Sequence, residues 1–285
     1  MPRSRLLPFV KMQALGNDLL LVDALRLAPL PWPQLAQEMC PRHFGIGADG
    51  LLVLLGSDVA DLRMRMFNPD GSEDMCGNGL RCLVKYLHDS GLATQKEMQI
   101  QTLSGLRTTR LLSSDGRQSV IEADMGTPSF SPADLPMATN VAEALRYPLE
   151  VDGRVWEVNC VSVGTPHAVI FAPQEVTERL FDQVSPGIQA HPLFPEKISV
   201  DWCEPQGDSA LRLRVWERAV GETLACGTGA CAAAVAARML GYCGNEVSVH
   251  LPGGTLKVTW RPGEQVIMTG PAEEVFRGRW PLKSK

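Results

Sequence analysis

The stretch Met-Cys-Gly-Asn-Gly-Leu-Arg-Cys at Met75–Cys82 returns 150 positions later as Ala-Cys-Gly-Thr-Gly-Ala-Cys-Ala at Ala225–Ala232. Self-similarity at a fixed offset is the sequence signature of a repeated structural unit. Upstream of the two copies, Leu62–Asn68 (LRMRMFN) matches Leu211–Glu217 (LRLRVWE). Both segments alternate apolar and polar residues, as half-buried β-strands do. Because several such matches occur in the same order, the sequence predicts two similar halves.

One helix is predicted directly after each copy of the motif. Apolar residues from Leu80 to Leu87 have i, i+3, i+4, i+7 spacing, and Gly91 ends that helix. The second helix, Ala230–Leu240, is small and apolar almost throughout and ends at Gly241. A helix with so few polar residues is expected to be buried on most sides.

The segments around these helices alternate or are β-branched, with glycine and proline between them, as strands and turns are. We therefore predict an α+β fold of two pseudo-symmetric halves, each a curved, mostly antiparallel sheet wrapped around a central helix. The N-terminal half spans residues 1–125, with residues 271–285 returning to it. The C-terminal half spans residues 126–270.

Composition and charge exclude several classes of protein. The 285 residues carry 27 Lys and Arg against 32 Asp and Glu, a net charge of −5, and form no basic stripe that would predict nucleic-acid binding. The longest apolar run, Ala230–Ala237, has eight residues, whereas a membrane-spanning helix needs about 20. Residues 1–11 do not form a signal peptide, since Pro8 interrupts their apolar stretch. We expect a cytoplasmic protein that binds neither nucleic acid nor membrane.

The eight cysteines do not have the spacing of a metal site. Cys76 and Cys82 have five residues between them, Cys226 and Cys231 have four, and no further Cys or His cluster completes a four-ligand set. We therefore predict no metal. Apart from the first cysteine of each motif, we expect the cysteines to be small buried hydrophobic residues, namely Cys40, Cys82, Cys160, Cys203, Cys231 and Cys243.

Cys76 and Cys226 each precede a glycine-flanked helix start. Unpaired N–H groups and the helix dipole at such a position are expected to lower the thiol pKa from about 8.5. The glycines let a carboxylate approach the backbone N–H groups closely. Two such thiols, one from each half, would suit inversion at a carbon atom: one base removes a proton from one face and a conjugate acid returns a proton to the other.

These motifs together resemble diaminopimelate epimerase, over nearly the whole chain. The similarity is carried by F-V-K-M-x-x-L-G-N-D from Phe9, F-N-P-D-G-S-E-x-M-C-G-N-G-x-R-C to Cys82, and E-R-x-V-G-E-T-L-A-C-G-T-G-A-C-A from Glu217. Further matches are G-x-P-H at Gly164, L-P-G-G-x-L at Leu251 and M-T-G-P-A-E at Met268.

The resemblance implies a two-domain isomerase without a cofactor, active as a homodimer in lysine and peptidoglycan precursor biosynthesis. It would interconvert LL- and meso-2,6-diaminopimelate, with Cys76 and Cys226 as the acid/base pair. Arg218 would bind the distal carboxylate of the substrate, and His167 and Glu217 would set the protonation of the thiols. The remaining implied substrate contacts are Asn17, Asn68, Gly77, Asn78, Thr165, Ser199, Glu217, Gly227 and Thr228.

Two departures from the family pattern leave the substrate open. Thr165 stands where the family usually has the asparagine of G-N-P-H. Ser199 stands where the family often has an asparagine after the F-P-E stretch. A racemase of another amino acid on the same fold is therefore an alternative. A thiol-redox protein is less consistent with the sequence because no C-x-x-C motif is present. A non-enzymatic binding module ranks last because both predicted bases are present.

Overall fold

The computed structural model describes residues 6–172, 176–218 and 220–282. The chain divides into two compact units, and each is described by itself below. Unit 1 comprises the residues up to Ala123 and those from Gly270 onward, and unit 2 comprises Asp124–Thr269. Within the described ranges, no helix has both the length and the apolar character that crossing a membrane requires.

Unit 1 is built from strands around one buried helix. Its elements are β1 (Leu6–Ala14), β2 (Asn17–Asp23), α1 (Trp32–Met39), β3 (Gly50–Leu55), β4 (Leu62–Phe67), β5 (Glu73–Asp74), α2 (Gly77–Asp89), β6 (Glu97–Thr102), β7 (Gly105–Ser114), β8 (Gln118–Asp124) and the later part of β17 (Ile267–Pro281). The strands pair in the order β17, β1, β2, β3, β4, β6, β7, β8, and β8 pairs with β17 again, so the sheet closes on itself. Helix α2 packs against β1, β2, β3, β4 and β7.

Unit 2 repeats this arrangement. Its elements are β9 (Tyr147–Val151), β10 (Arg154–Ser162), β11 (Pro166–Phe171), α3 (Glu178–Gln189), β12 (Ser199–Pro205), β13 (Ala210–Glu217), β14 (Gly221–Thr223), α4 (Gly227–Leu240), β15 (Glu246–Leu251), β16 (Gly254–Thr259) and the start of β17. The strands pair in the order β9, β10, β11, β12, β13, β15, β16, β17. Helix α4 packs against β10, β11, β12, β13, β15 and β16.

The strand directions also repeat. In unit 1, β2–β3 and β4–β6 are parallel, while β1–β2, β3–β4 and β6–β7 are antiparallel. In unit 2, β11–β12 and β13–β15 are parallel, while β10–β11, β12–β13 and β15–β16 are antiparallel. The predicted fold class, with two similar α+β halves and a central helix in each, is confirmed.

The two central helices begin and end where their local chemistry requires. Cys76 and Cys226 have extended backbone conformations and are the N-caps of α2 and α4. Gly241 ends α4 with φ of 80°, a left-handed conformation that glycine adopts without a steric penalty. The first eleven residues of each helix are buried, from Gly77 in α2 and from Gly227 in α4. The repeated motif therefore lies at the buried N-terminus of the central helix in each unit.

The prediction of a single helix in each half was incomplete, because each unit has a second, shorter one. Helix α1 begins after Pro31 with Pro33 in its first turn, and α3 contains Pro186 and Gly187. Proline is common in the first turn of a helix, as Pro33 is in α1, whereas Pro186 and Gly187 inside α3 are unfavourable there. Both helices are stabilised by tertiary packing, since α1 buries Trp32 and Leu35 and α3 buries Phe181 and Ile188.

Candidate active site

The N-terminus of α2 holds the first predicted site. The Cys76 thiol accepts a hydrogen bond from the Gly79 N–H at 3.2 Å, which satisfies one of the unpaired donors of the helix. Asn17, at the start of β2, places its side-chain Oδ1 3.1 Å from the Nδ2 of Asn78, which donates to it. Cys76 Sγ lies 3.9 Å from the same oxygen. Three residues that the sequence analysis singled out separately are therefore brought together.

Buried polar groups hold these side chains in place from behind. Asp49 Oδ2 accepts a hydrogen bond from Asn17 Nδ2 at 2.9 Å, so the Asn17 oxygen is turned toward Cys76. Arg81, fully buried in α2, donates to Asn78 Oδ1 at 2.7 Å and to the Pro271 carbonyl at 3.1 Å. Sequence reasoning assigned no role to Asp49 or Arg81. The Asp49 carboxylate orients Asn17.

Asp49 belongs to a compact charge cluster. Asp18 contacts Lys11 and accepts from Arg42 at 2.7 and 3.0 Å. Burial raises the pKa of Asp18, but hydrogen bonds from Arg42 and Lys11 outweigh it and lower that pKa to about 2. Burial and the neighbouring Asp18 charge raise the pKa of Asp49. The cluster fixes the loop that carries Asp49 against the start of β2.

The described hydrogen bonds of Asn68 are made to the turn that follows β4. Its Nδ2 donates to the Ser72 hydroxyl at 3.0 Å, and its backbone N–H donates to the Ser72 carbonyl at 2.8 Å. These bonds close the turn after β4. The described contacts of Asn68 do not include Cys76, Asn78 or Asn17, so its predicted substrate contact stays a prediction.

The N-terminus of α4 holds the second predicted site, in unit 2. The Gly229 N–H donates to the Cys226 thiol at 3.4 Å, as Gly79 does to Cys76. Thr228 takes the place of Asn78, and its hydroxyl lies 3.4 Å from Cys226 Sγ. His167 Nε2 lies 2.9 Å from the same hydroxyl.

Thr165 is the fourth member of this group. Its hydroxyl donates to Thr228 Oγ1 at 3.0 Å and lies 3.0 Å from His167 Nε2. The hydroxyl that replaces the expected asparagine amide is therefore bonded within unit 2, beside the residues around Cys226.

Ser199, Glu217 and Arg218 lie at neighbouring strand ends of unit 2. Ser199 Oγ accepts a hydrogen bond from the Arg218 backbone N–H at 3.1 Å, which ties the start of β12 to the end of β13. Glu217 Oε1 accepts from the Thr223 hydroxyl at 2.6 Å. Ser199 therefore acts on the backbone that presents Arg218, whose side chain is partly exposed.

The environment of Cys226 contradicts the expected lowering of its thiol pKa. Burial raises the pKa of the Cys226 thiol well above its usual range, and the nearby carboxylates of Glu217 and Asp201 raise it further. The hydrogen bonds from Thr228 and from the Gly229 N–H act in the opposite direction but do not compensate. The position of Cys226 at a helix N-terminus did not predict its pKa correctly, because residues distant in sequence supply the negative charge that raises it. At neutral pH Cys226 is therefore a thiol.

The other cysteines are buried, as predicted. Burial raises the pKa of Cys40 and Cys82 to about 12 and that of Cys243 to about 11. Thiols with such values carry almost no thiolate near neutral pH and are inert. Cys76 differs from all of them because it is partly exposed.

Comparison with known proteins identifies the family. The family model for diaminopimelate epimerase matches residues 9–131 and 159–275. The chain belongs to the diaminopimelate epimerase family. The diaminopimelate epimerase of Moorella thermoacetica is 48% identical over 277 residues, which cover 96% of this chain and 99% of that protein. The diaminopimelate epimerase of Pelotomaculum thermopropionicum is 45% identical, with 97% and 99% covered. Epimerases are isomerases, and the chain is accordingly an isomerase.

Solved structures of lower sequence identity share the fold. A hydroxyproline epimerase from Agrobacterium vitis superposes with a TM-score of 0.76 at 16% identity, covering 100% of this chain and 95% of that one. A PhzF-family phenazine biosynthesis protein from Bacillus anthracis gives a TM-score of 0.70 at 19% identity, with 98% and 100% covered. The two-unit architecture of this diaminopimelate epimerase family member therefore extends to proteins with other names.

Proposed function

We propose that this protein interconverts LL- and meso-2,6-diaminopimelate without a cofactor, using Cys76 and Cys226 as the two acid/base groups. The observation that carries the proposal is the pair of cysteine N-caps, each bonded to the glycine N–H three residues on. Membership of the diaminopimelate epimerase family supports the substrate. Family analogy also supports a homodimer and a cytoplasmic location, which form part of the proposal.

The surroundings of the two thiols support different protonation states at the start of the reaction. Burial and two carboxylates keep Cys226 protonated, so it begins as the acid when LL-diaminopimelate is the substrate. Cys76 is partly exposed at a helix N-terminus, and we assign it the role of the base. The Cys76 thiolate removes the α-proton, and the Cys226 thiol donates a proton to the opposite face of the carbanion. Cys76 ends as a thiol and Cys226 as a thiolate, and the reverse reaction exchanges these roles.

Backbone groups at both helix starts are suited to hold the reacting amino acid. The N–H groups of Gly77, Asn78, Gly227 and Thr228 lie in the first turns of α2 and α4, where unpaired donors and the helix dipole favour a carboxylate. The same N–H donors also stabilise the negative charge that develops on the substrate as the α-proton leaves. We assign Asn17 and Asn68 to further contacts with the substrate, and Glu217 and His167 to the protonation of Cys226.

A racemase of another amino acid is the second candidate. The observation in its favour is that the Thr165 and Ser199 hydroxyls are engaged by Thr228 and by the Arg218 backbone. They replace amides that the family pattern places near the distal end of diaminopimelate. Arg218 carries the planar, bidentate group that recognition of a distal carboxylate favours.

A substrate panel in deuterated water is expected to identify diaminopimelate. Purified protein treated with a chelator and a reductant is incubated with LL-diaminopimelate, lysine, glutamate, proline and hydroxyproline, and loss of the α-proton is followed by proton NMR. We expect exchange and inversion with LL-diaminopimelate at least about 100-fold faster than with the others, because each of them lacks the second amino-acid group that would bind at the distal end.

Faster turnover of a monocarboxylic amino acid would favour the second candidate and contradict the first. Loss of activity on chelator treatment that a metal ion restores would contradict the cofactor-free mechanism.

A further inference from the structure

Asp201 is the least expected charged group in the described structure. It lies in the middle of β12, within Ser-Val-Asp-Trp-Cys, and no part of its side chain is exposed. An isolated carboxylate buried in this way is costly unless a partner compensates its charge. Neither of its oxygens has an aligned hydrogen bond within the described ranges. Its close polar contact is with His167, whose Nδ1 lies 2.9 Å from Asp201 Oδ2.

His167 is equally buried, with 1% of its surface exposed, and lies between Asp201 and the residues at Cys226. Its Nδ1 lies 2.9 Å from the carboxylate without an aligned hydrogen bond, and its Nε2 lies 3.0 and 2.9 Å from the hydroxyls of Thr165 and Thr228. Thr228 Oγ1 is in turn 3.4 Å from Cys226 Sγ. A continuous chain of polar contacts thus joins Asp201 to the proposed acid, entirely within unit 2.

The other charged groups packed around α4 do not interrupt this series of polar contacts. The carboxylates that act on Cys226 are Asp201 of β12 and Glu217 of β13, and Glu217 accepts a hydrogen bond from Thr223. In the more distant β15 and β16, Lys257 pairs with Glu246. His250 of β15 contacts Thr255 of β16.

One arrangement of protons satisfies both Asp201 and Thr228 when Cys226 is a thiol. A hydroxyl has one proton to donate and two lone pairs to accept with. Thr228 accepts from Thr165 and from Cys226 and donates to His167 Nε2, which must then be unprotonated. The proton of the neutral imidazole consequently sits on Nδ1, toward Asp201.

The same atoms accommodate the Cys226 thiolate that acts as the base of the reverse reaction, after the thiol proton has moved through Thr228 to His167. His167 Nε2 then carries a proton and donates to Thr165, Thr165 donates to Thr228, and Thr228 donates to the sulfur. The imidazole is now doubly protonated, and its positive charge lies beside the Asp201 carboxylate. In both states Nδ1 keeps its proton, whereas Nε2 gains the proton that Cys226 loses and the Thr228 hydroxyl reverses its direction.

We propose that Asp201 is a positioning residue that keeps the Nδ1 proton of His167 in place, so that Nε2 is the nitrogen that exchanges a proton with Cys226 through Thr228. Glycine at position 229 is part of the arrangement, since a Cβ there would lie 3.0 Å from Asp201 Oδ1 and 3.3 Å from His167 Cε1. This role rests on the proposed acid/base function of Cys226, but the orientation of His167 is testable without turnover.

The first test uses the unmodified protein. Nitrogen-15 NMR of the histidine side chains, assigned with a His167→Asn variant, distinguishes the two neutral tautomers at a pH where the imidazole is uncharged. We expect His167 to be protonated at Nδ1, whereas the Nε2-protonated form would overturn the proposal. This result does not depend on epimerase activity, so failure of the proposed function and failure of this inference are distinguishable.

The second test replaces the carboxylate with an amide of nearly the same shape. We expect Asp201→Asn to lower kcat about 30-fold with little change in KM, because an orienting group behind a histidine is typically worth 10- to 100-fold. The His167 resonances should also change from one tautomer to a mixture. Asp124→Asn is the matched control: Asp124 is a buried carboxylate of unit 2 that caps the Gly126 N–H at 2.7 Å, and the change should leave kcat and the tautomer unaltered.

A double variant separates action through His167 from a merely structural role. If Asp201 acts through His167, adding Asp201→Asn to His167→Asn should lower kcat by less than 3-fold further, since the two effects share one path. Additive losses, or an unchanged tautomer in Asp201→Asn, would overturn the proposal. If Asp201→Asn does not fold, the tautomer of the unmodified protein decides the question.

Discussion

Replacing Cys226 with alanine is expected to reduce epimerisation of LL-diaminopimelate by about 10³-fold, and Cys76→Ala should do the same. Each thiol serves one face of the α-carbon, and a missing general acid or base typically costs 10²- to 10⁴-fold. The measurement is kcat for LL-diaminopimelate followed by the change in optical rotation. Cys231→Ala and Cys82→Ala are matched controls, because both residues are buried within the same two helices.

The controls should lose stability rather than turnover. Truncating a buried cysteine removes a small hydrophobic group, and an unfolding midpoint in urea records that cost. If Cys76→Ala or Cys226→Ala retained a tenth or more of the normal kcat, the two-thiol assignment would be wrong.

Arg218→Ala is expected to lower kcat/KM for diaminopimelate about 150-fold. Leaving a substrate carboxylate without its charged partner costs about 3 kcal/mol. Most of the loss should appear in KM, with a smaller fall in kcat, because remote binding energy also positions the reacting carbon. The control is Arg212→Ala, an exposed arginine of β13 that pairs with Glu204.

The same variant distinguishes the two candidate substrates. If a monocarboxylic amino acid is the natural substrate, Arg218→Ala should change its kcat/KM by less than 3-fold. A small effect of Arg218→Ala on diaminopimelate itself would remove the basis for assigning that substrate to this chain.

The fold was predictable where local pattern and tertiary packing agree. The motifs at Cys76 and Cys226 predicted the starts of α2 and α4, and Gly241 marked the end of α4, because glycines and caps act within a few residues. Helix α3 was missed because Pro186 and Gly187 are locally unfavourable in a helix, and α1 because its eight residues give only a short periodic pattern.

The candidate site was predictable in its residues and less so in its electrostatics. The motifs identified Asn17, Asn78, His167 and Thr228, which the structure places beside the cysteine of their own unit. The pKa of Cys226 was predicted in the wrong direction. That pKa depends on burial and on carboxylates of other strands, and the local sequence shows neither.

Asp201 left one signal that sequence analysis can use. It is a charged residue at the centre of the strand segment Ser-Val-Asp-Trp-Cys, where its neighbours are apolar or small. A carboxylate in such a place must have a buried partner. Identifying that partner as His167 required the parallel pairing of β11 with β12, in which His167 lies opposite Ser199, two residues before Asp201.

The isotopic content of substrate and product at early times tests the two-thiol mechanism most directly. LL-diaminopimelate is converted in deuterated water, the reaction is stopped below about 5% conversion, and both stereoisomers are examined by mass spectrometry. A thiol carries a single proton, so the group that donates cannot return the proton that its partner removed. We predict meso-diaminopimelate with one deuterium at the inverted carbon and remaining substrate that is still fully protonated. Product that retains the original proton would indicate a single base and would contradict the account.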